Sequence, residues 1–180
     1  ARAEGMRDFG PCLSPQNAWN VLQGIETLSV RMQKHCSNAE KMVEYLLSHE
    51  SVAWVSHPSV PDHPDHDLAK KLLPHGKGSM IAFGIKGGKE AGEAFINNVK
   101  LASHLANVGD TRTLVIHPAS STHSQMDEAT LKFAGLSQDM IRLSVGIEDF
   151  DDIRNDFETG FRAARPVSYT HLRAHETLLD

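Results

Sequence analysis

One apolar stripe with helical spacing runs through much of the N-terminal part of the chain and constrains the fold more than any other feature. Ser14 followed by Pro15 is typical of a helix start, because the hydroxyl can accept a hydrogen bond from a free amide of the first turn and proline needs no donor there. Apolar residues then follow at intervals of three or four positions, or of their sum, as far as about Ser48: Val21, Ile25, Leu28, Met32, Ala39, Val43 and Leu46. A single helix of that extent would be roughly 50 Å long, which is typical of a strut between domains.

Four strands and several shorter helices are predicted to follow the long helix. The strands are expected in Val52 to Val55, Ser79 to Ile85, Arg112 to Ile116 and Met140 to Ile147. The helices are expected in Asp67 to Leu73, Lys89 to Val99 and Asp127 to Ala134, followed by a closing helix with Phe150, Ile153, Phe157 and Phe161 on one face. Ser124 is predicted to start the third of these helices and Gly135 to end it. The pattern predicts one α/β layer domain attached to the long helix, and it suits both a parallel and an antiparallel sheet.

The composition is that of an acidic globular protein. The 180 residues include 18 Lys plus Arg against 23 Asp plus Glu, so the formal charge is −5 with the histidines neutral, which argues against a nucleic-acid binder. No run approaches the roughly 18 apolar residues of a membrane span, and the first residues lack the pattern of a signal peptide. Two cysteines, Cys12 and Cys36, in a chain long enough to form a core without disulfides predict a cytoplasmic protein.

Both ends of the chain suggest a piece of a larger protein. The sequence opens at Ala1 without an initiator Met and runs almost at once into the long helix. Residues 165–180 show neither helical nor strand periodicity. We interpret them as a translated adaptor or read-through, with an ordinary disordered tail as the alternative, and therefore predict no function for His171, Arg173 or His175.

Arg142 is the most informative single residue, because it lies in the strand with the clearest alternation. The apolar face of that strand consists of Ile141, Leu143, Val145 and Ile147. Arg142 is predicted to point the other way, toward Ser144 and Gly146, which would leave open space beside it. A guanidinium can form two parallel hydrogen bonds with a carboxylate, so this position suggests a ligand site. A solvated or salt-bridged arginine on the outer face of the sheet is the alternative.

The segment from Ala106 to Ser124 combines a glycine-containing turn, a short apolar strand and a loop rich in hydroxyl groups. Side chains in it that could donate hydrogen bonds to a small polar ligand are Asn107, Thr113, Ser120, Ser121 and Thr122. Ordinary turn and capping chemistry explains the same residues, so both interpretations stay open.

Histidines in two loops raise the question of a metal site. His63 and His66 lie in a Pro/Asp loop, and His117 and His123 flank a second loop. A zinc site needs three or four converging ligands, and two histidines supply at most half of that set, so we predict no metal site. The sequence also lacks a nucleophile elbow, a Walker loop and a G-x-G-x-x-G fingerprint, which predicts that it holds no complete catalytic set.

Three motifs in a fixed order carry a resemblance to a known enzyme family. They are DFGPCLSPQNAWNVLQGIETLSVRMQKHCSNA (8–39), LANVGDTRTLVIHPASSTHSQ (105–125) and IRLSVGIEDFDDI (141–153), with VPDHPDHDLAKKLLPHGKGSMIAFGIKGG (60–88) after the first. Over about residues 7–164 the chain resembles the C-terminal part of the Cys/Met-metabolism family of pyridoxal-phosphate enzymes. Within that family it most resembles the O-acetylhomoserine sulfhydrylase branch.

The resemblance implies a fold, an activity and a cofactor. The fold is the C-terminal domain of a fold-type I enzyme, with a mostly antiparallel four-stranded sheet and helices on one side. Residues 1–50 would be the end of the cofactor domain and the linker helix, residues 51–164 the substrate-binding domain, and residues 165–180 a tail outside the family. The implied reaction is a γ-replacement that makes homocysteine or methionine from O-acetylhomoserine and sulfide or a thiol. Its cofactor is pyridoxal 5′-phosphate.

The resemblance also assigns roles to particular residues. Arg142, in the family's RLSVG strand, would bind the substrate α-carboxylate, and Asn107, in the turn before Gly109 and Asp110, would approach the same group. Thr113 and the HPASSTH loop would line the substrate side. The Schiff-base lysine of the family lies upstream in a Ser-x-Thr-Lys type motif, and no lysine here has that context. The resemblance therefore implies no catalytic or cofactor-binding residue in this chain, which alone would be inactive.

Several alternatives remain at this stage. The turn Asn107-Val108-Gly109-Asp110 favours the sulfhydrylase branch, but the methionine γ-lyase and cystathionine γ-synthase branches are alternatives, as is a non-catalytic amino-acid-binding domain. Relatives in this family are usually tetramers, so the resemblance implies a homo-oligomer. Because the apolar stripe has no partner in the sequence, we expect the isolated chain to be poorly soluble or to self-associate.

Overall fold

The N-terminal part of the molecule is built from two consecutive helices. The structure is a computed structural model that describes residues 2–122 and 125–165. After a short π-helical segment, Arg2–Asp8, helix α1 spans Pro15–Glu26 and helix α2 spans Leu28–Ser48. The Ser14 hydroxyl accepts from the amide of Asn17 at 3.2 Å, so the predicted helix start is confirmed.

The prediction of one uninterrupted helix is wrong, because a single residue, Thr27, separates two helices. Thr27 has φ −100° and ψ 3°, which ends α1 and starts α2. The Arg31 guanidinium donates to the Gly24 carbonyl oxygen near this break. The apolar spacing continues across Thr27 and therefore gave no sign of the interruption.

The two helices differ in burial. No residue of α1 is buried, and Trp19, Val21 and Ile25 are more than half exposed. By contrast, the second half of α2 is part of the core, with Ala39, Met42 and Leu46 fully buried. No helix among the described residues is long and apolar enough to cross a membrane.

A five-stranded sheet forms the centre of the fold. The strands are β1 (Val52–Ser56), β2 (Met80–Ile85), β3 (Ser103–His104), β4 (Leu114–Ile116) and β5 (Met140–Ser144). Their order is β1-β2-β5-β4-β3, and every neighbouring pair is antiparallel except β3 and β4, which are parallel. The mostly antiparallel sheet is confirmed, but it has five strands instead of the predicted four. The extra strand, β3, is two residues long, which is too short to produce an alternating pattern.

Four further α-helices follow close to the predicted positions: α3 (His66–Leu72), α4 (Gly88–Asn98), α5 (Glu128–Phe133) and α6 (Phe150–Ala164). The N-cap of α5 is Asp127, whose carboxylate accepts from the Thr130 amide at 2.8 Å, whereas the predicted cap Ser124 lies outside the described residues. Gly135 follows α5 with φ 73°, the left-handed conformation that ends helices.

Helices α2, α4 and α6 cover one face of the sheet and form the core with it. The alternation in β5 has the predicted effect, because Ile141 and Leu143 are fully buried on that face. Four phenylalanines pack with ring centroids 4.9 to 6.4 Å apart, and all are fully buried: Phe83, Phe95, Phe157 and Phe161. Burial of these rings, which join β2 to helices α4 and α6, makes them a major stabilising cluster of the fold.

Candidate functional site

A row of four side chains crosses the opposite face of the sheet and contains Arg142. Strand register pairs Ala82 of β2 and Ile116 of β4 with Arg142, and it pairs Ser56 of β1 with Ala82. Because side chains at paired positions point to the same face, all four project away from the core. The small side chain of Ala82 next to Arg142 leaves room beside the guanidinium.

These four residues are part of the lining of a cavity of about 600 Å³. The other lining residues come from the loops at this end of the sheet and from the strands: Pro58, His63, Met80, Ile81, Ala106, Pro118, Thr122, Leu136 and Met140. Most of the lining is apolar, and among the described residues that form it Arg142 is the one with a permanent positive charge. Mostly apolar cavities with a few fixed polar groups are typical of small-molecule sites.

Arg142 has no partner for its charge within residues 2–122 and 125–165. The side chain is half-buried, and it makes no hydrogen bond or ion pair with another described residue. By contrast, Arg112, on the neighbouring turn, is fully engaged with a carboxylate. An unpaired guanidinium in a mostly apolar cavity is suited to bind an anionic ligand group, and a planar carboxylate matches its two parallel donors.

The space beside Arg142 does not come from Ser144 and Gly146, so that part of the sequence prediction is wrong. Ser144 is fully buried, and a Cβ atom on Gly146 would overlap the Thr113 amide nitrogen and the Arg112 carbonyl carbon. Gly146 therefore allows two backbone segments to approach closely. Strand β5 also ends at Ser144, before the predicted end at Ile147.

Thr113 is in the core and not in the cavity lining. It is fully buried, its hydroxyl donates to Glu148 Oε2 at 2.8 Å, and its amide donates to Glu148 Oε1 at 2.6 Å. The same hydroxyl accepts from the Gly146 amide at 3.0 Å. Because these bonds use its polar groups, the structure gives no support to the expectation that Thr113 lines the substrate side. Instead it ties β4 to the segment that follows β5.

Asn107 lies beside the cavity on an exposed turn. Its Oδ1 accepts from the Val108 amide at 2.8 Å, and its neighbour Ala106 lines the cavity. The turn is held by Asp110, whose carboxylate accepts from Arg112 Nε at 3.1 Å and Nη2 at 3.0 Å. The hydrogen bond from the Arg112 side chain lowers the pKa of Asp110 to about 2, helped by the bond from the Arg112 backbone amide. The geometry places Asn107 next to the cavity without bringing it into the lining.

Hydroxyl groups of the loop after β4 are mostly engaged in local structure. His117 is fully buried, with Nδ1 2.8 Å from Ser120 Oγ and Nε2 2.7 Å from the Gln138 carbonyl oxygen. Ser121 Oγ donates to the His117 carbonyl oxygen at 2.7 Å. Turn and capping chemistry is therefore the better interpretation of Ser120 and Ser121. Pro118 and Thr122 do reach the cavity.

The histidines do not come together as metal ligands in the described part of the chain. Within residues 2–122 and 125–165, no three His, Cys, Asp or Glu side chains are grouped in a way that could hold a metal ion. His66 Nδ1 lies 2.9 Å from the Pro58 carbonyl oxygen, and His123 falls outside the described residues. His63, by contrast, lines the cavity with Arg142. The Pro/Asp context of His63 in the sequence indicates at most a weak metal ligand, and no sequence pattern indicates its position beside Arg142.

Comparison with known proteins places the chain within one enzyme family. Residues 2–162 match the family described as Cys/Met metabolism PLP-dependent enzyme. An O-acetyl-L-homoserine sulfhydrylase of Corynebacterium glutamicum is 51% identical over 158 residues, which are 88% of this chain and 36% of that protein. O-acetyl-L-homoserine sulfhydrylase 1 of Thermus thermophilus is 49% identical over 158 residues, with 88% of this chain and 38% of that protein covered.

Relatives with other activities and a solved structure match the same region. An L-methionine gamma-lyase of Fusobacterium nucleatum is 43% identical over 157 residues, covering 87% of this chain and 40% of that protein. The structure of an O-acetylhomoserine (thiol)-lyase from Campylobacter jejuni, which contains N′-pyridoxyl-lysine-5′-monophosphate, has a TM-score of 0.79 and 40% identity. That match covers 87% of this chain and 37% of the solved chain. The chain thus spans about two fifths of the length of the relatives it matches.

Proposed function

Since the chain belongs to the Cys/Met metabolism PLP-dependent enzyme family, we propose that it is the C-terminal part of an O-acetylhomoserine sulfhydrylase. This enzyme makes homocysteine, or methionine, from O-acetylhomoserine and sulfide, or a thiol, by γ-replacement. The observation that carries the proposal is Arg142, a half-buried guanidinium that lines a mostly apolar cavity and has no partner among the described residues. Its role is to hold the α-carboxylate of the amino-acid substrate.

The cavity fits the substrate better than it fits the cofactor. Pyridoxal phosphate, when bound to an enzyme of this kind, serves as an electron sink for proton loss next to the amino group. Holding it calls for an amine that reacts with its aldehyde and for donors to its phosphate. No lysine is among the described residues that line the cavity, and the one permanent cation there is Arg142. These lining residues would therefore not hold the cofactor.

The contribution of Arg142 is binding and orientation. Two parallel hydrogen bonds from its guanidinium fix the plane of the carboxylate, and this fixes the direction of the bonds at the neighbouring α-carbon. The apolar side chains beside it, including Ala82, Ile116 and Met140, exclude water from around the ion pair and so strengthen it. An interaction of this kind contributes on the order of 2–3 kcal/mol to substrate binding.

The experiment is a kinetic comparison of Arg142 variants in the complete enzyme encoded by the gene that contains this segment. We expect Arg142→Ala to raise the KM for O-acetylhomoserine about a hundredfold, because the carboxylate loses its charged partner. Arg142→Lys should recover only part of this loss, since lysine cannot form the bidentate pair. A near-normal KM in both variants would refute the carboxylate role. Arg162→Ala is the matched control, because Arg162 is exposed on α6, on the opposite side of the sheet from the cavity, and this variant should leave KM nearly unchanged.

The alternative within the family is a γ-lyase, and the 43% identity to an L-methionine gamma-lyase is the observation that favours it. Both reactions need the same carboxylate anchor, so Arg142 does not separate them. The complete enzyme should convert O-acetylhomoserine plus sulfide faster than it degrades methionine alone. The opposite preference would assign it to the γ-lyase branch.

Three further properties of the whole protein belong to this proposal: a cytoplasmic location, assembly into a homo-oligomer, and lack of activity in the isolated chain. The exposed apolar side chains of α1, including Trp19 and Ile25, support assembly with further protein surface. Light scattering on the isolated chain should show self-association, and a clean monomer would count against the proposed assembly through α1. Calorimetry should show little affinity of the isolated chain for free amino acids, whereas tight binding would favour a non-catalytic binding domain.

A further inference from the structure

The loop between β1 and α3 holds His63 against the cavity through a series of tight turns. Each turn closes with a bond from a backbone amide to the carbonyl oxygen three residues earlier, and the amides belong to Val60, His63 and His66. The three bonds are 2.9 to 3.0 Å long. The His66 ring adds a contact of 2.9 Å to the Pro58 carbonyl oxygen. Because the backbone is fixed on both sides of it, His63 is held in place before a ligand binds.

The two nitrogen atoms of His63 have different surroundings. Nδ1 accepts a hydrogen bond from the Asp65 amide at 3.2 Å. An imidazole that accepts at Nδ1 carries its hydrogen on Nε2, so the other edge of the ring is a donor. No described residue accepts a hydrogen bond from Nε2. His63, which lines the same cavity as Arg142, therefore has an N–H donor at Nε2 that no described residue uses.

We propose that His63 is a second substrate-binding residue, which donates from Nε2 to an oxygen atom of the amino acid held by Arg142. The inference rests on the proposed function, since it takes the cavity to be the substrate site. In a mostly apolar cavity each polar group acts strongly on the orientation of the ligand, and a ligand oxygen left without a donor is destabilised. His63 and Arg142 reach the cavity from different elements, a loop and a strand, so together they fix two points of one ligand.

Two substitutions of His63 separate this role from a structural role in the loop. Asparagine can place its oxygen near the position of Nδ1 and keep the bond from the Asp65 amide, but it loses the donor at Nε2. Glutamine reaches further and can place an N–H donor near the position of Nε2. In the complete enzyme we expect His63→Asn to raise the KM for O-acetylhomoserine about tenfold, and His63→Gln to recover most of that loss. The melting temperature of each variant shows whether the loop is intact.

Two controls keep the outcomes distinguishable. His75→Asn changes an exposed histidine that neither lines the cavity nor takes part in the turns that hold His63, and it should leave KM within about twofold of the wild-type value. Arg142→Ala, measured in the same assay, tests the proposed function on its own. If Arg142→Ala raises KM and His63→Asn does not, the His63 inference is overturned while the proposed function stands. A larger loss in His63→Gln than in His63→Asn would also overturn it, because it would assign His63 to the loop structure.

Inhibition by L-norleucine identifies which oxygen atom is bound. Norleucine has the carboxylate of the substrate but no acyl oxygen. If His63→Asn weakens norleucine inhibition about as much as it raises KM, the acceptor is the carboxylate. If norleucine inhibition is unchanged while KM rises, the acceptor is the acyl group. Either result supports His63 as a ligand donor, and an unchanged value of both would contradict it.

Discussion

The two faces of the sheet are built from the same strands but are completed differently. On one face, side chains such as Phe83 and Leu143 are fully buried against three helices. On the other face, Arg142 and Ala82 border a cavity of about 600 Å³. The side chains of the first face are packed against other described residues, whereas the second face presents the charge of Arg142, which no described residue neutralises. Residues on the first face should therefore control the free energy of unfolding, and residues on the second should control ligand affinity.

The largest effect on stability is expected from the core phenylalanines. Phe157 is fully buried and lies 5.2 Å from Phe95 between ring centroids, so Phe157→Ala leaves a large cavity. We expect a loss of about 3–5 kcal/mol of unfolding free energy, measured by urea denaturation. Phe133→Ala is the matched control because Phe133 is 95% exposed, and it should change the unfolding free energy by less than about 0.5 kcal/mol. Equal losses in both variants would contradict the assignment of the core.

A smaller loss is expected where the strands meet behind the cavity. Gly146→Ala places a methyl group against the backbone of Arg112 and Thr113, which cannot move without breaking the bonds to Glu148. We expect a loss of about 1–3 kcal/mol, seen as a lower urea midpoint. Gly24→Ala is the control, because a Cβ there meets no atom and α1 gains a better helix former. If Gly146→Ala were as stable as Gly24→Ala, the backbone at Gly146 would not be tightly packed against the backbone of Arg112 and Thr113.

The core face also predicts a dependence of stability on pH. Burial lowers the pKa of His49 from 6.5, partly opposed by the Glu158 carboxylate, and its ring stacks on Phe161 with centroids 4.1 Å apart. The pKa is lower in the folded than in the unfolded state, so below about pH 6.5 the unfolded chain binds more protons and stability falls. The urea concentration at the midpoint of unfolding should decrease as the pH is lowered from about 7.5 to about 5.5, and this decrease should be smaller in His49→Phe than in the wild type. An equally steep decrease in that variant would assign the effect to other groups.

The smallest effect on stability is expected on the cavity face. Arg142→Met keeps an apolar stem of similar length and removes only the charge, which has no partner among the described residues. The unfolding free energy should change by less than about 0.5 kcal/mol. A loss of several kcal/mol would mean that Arg142 serves the fold and would remove the contrast between the two faces.

Sequence patterns were sufficient for the elements with long, regular spacing. The alternation of Ile141, Arg142 and Leu143 correctly predicted which side chains are buried and which one faces away. The caps at Ser14 and Gly135 follow from local chemistry, and these are visible in sequence. Strand β3 was missed because two residues have no period, and the break at Thr27 was missed because the apolar spacing passes through it unchanged.

The details of the site depend on contacts between distant parts of the chain. The Thr113 hydroxyl is used by Glu148, 35 residues later, and sequence gives no indication of that pairing. A glycine such as Gly146 can leave space or can allow close packing, and only the position of its neighbours decides between them. His63 reaches the cavity because three turns fold its loop, whereas its sequence context suggested only a weak metal ligand.

Binding of a matched pair of ligands to the complete enzyme tests the role of Arg142 most directly. L-Norleucine and pentylamine differ by one carboxylate, so their inhibition constants in wild type and in Arg142→Met form a double-mutant cycle. We predict a coupling of about 2–3 kcal/mol: the substitution should weaken norleucine strongly and leave pentylamine almost unchanged. If both ligands lose affinity equally, or neither does, Arg142 does not bind the substrate carboxylate.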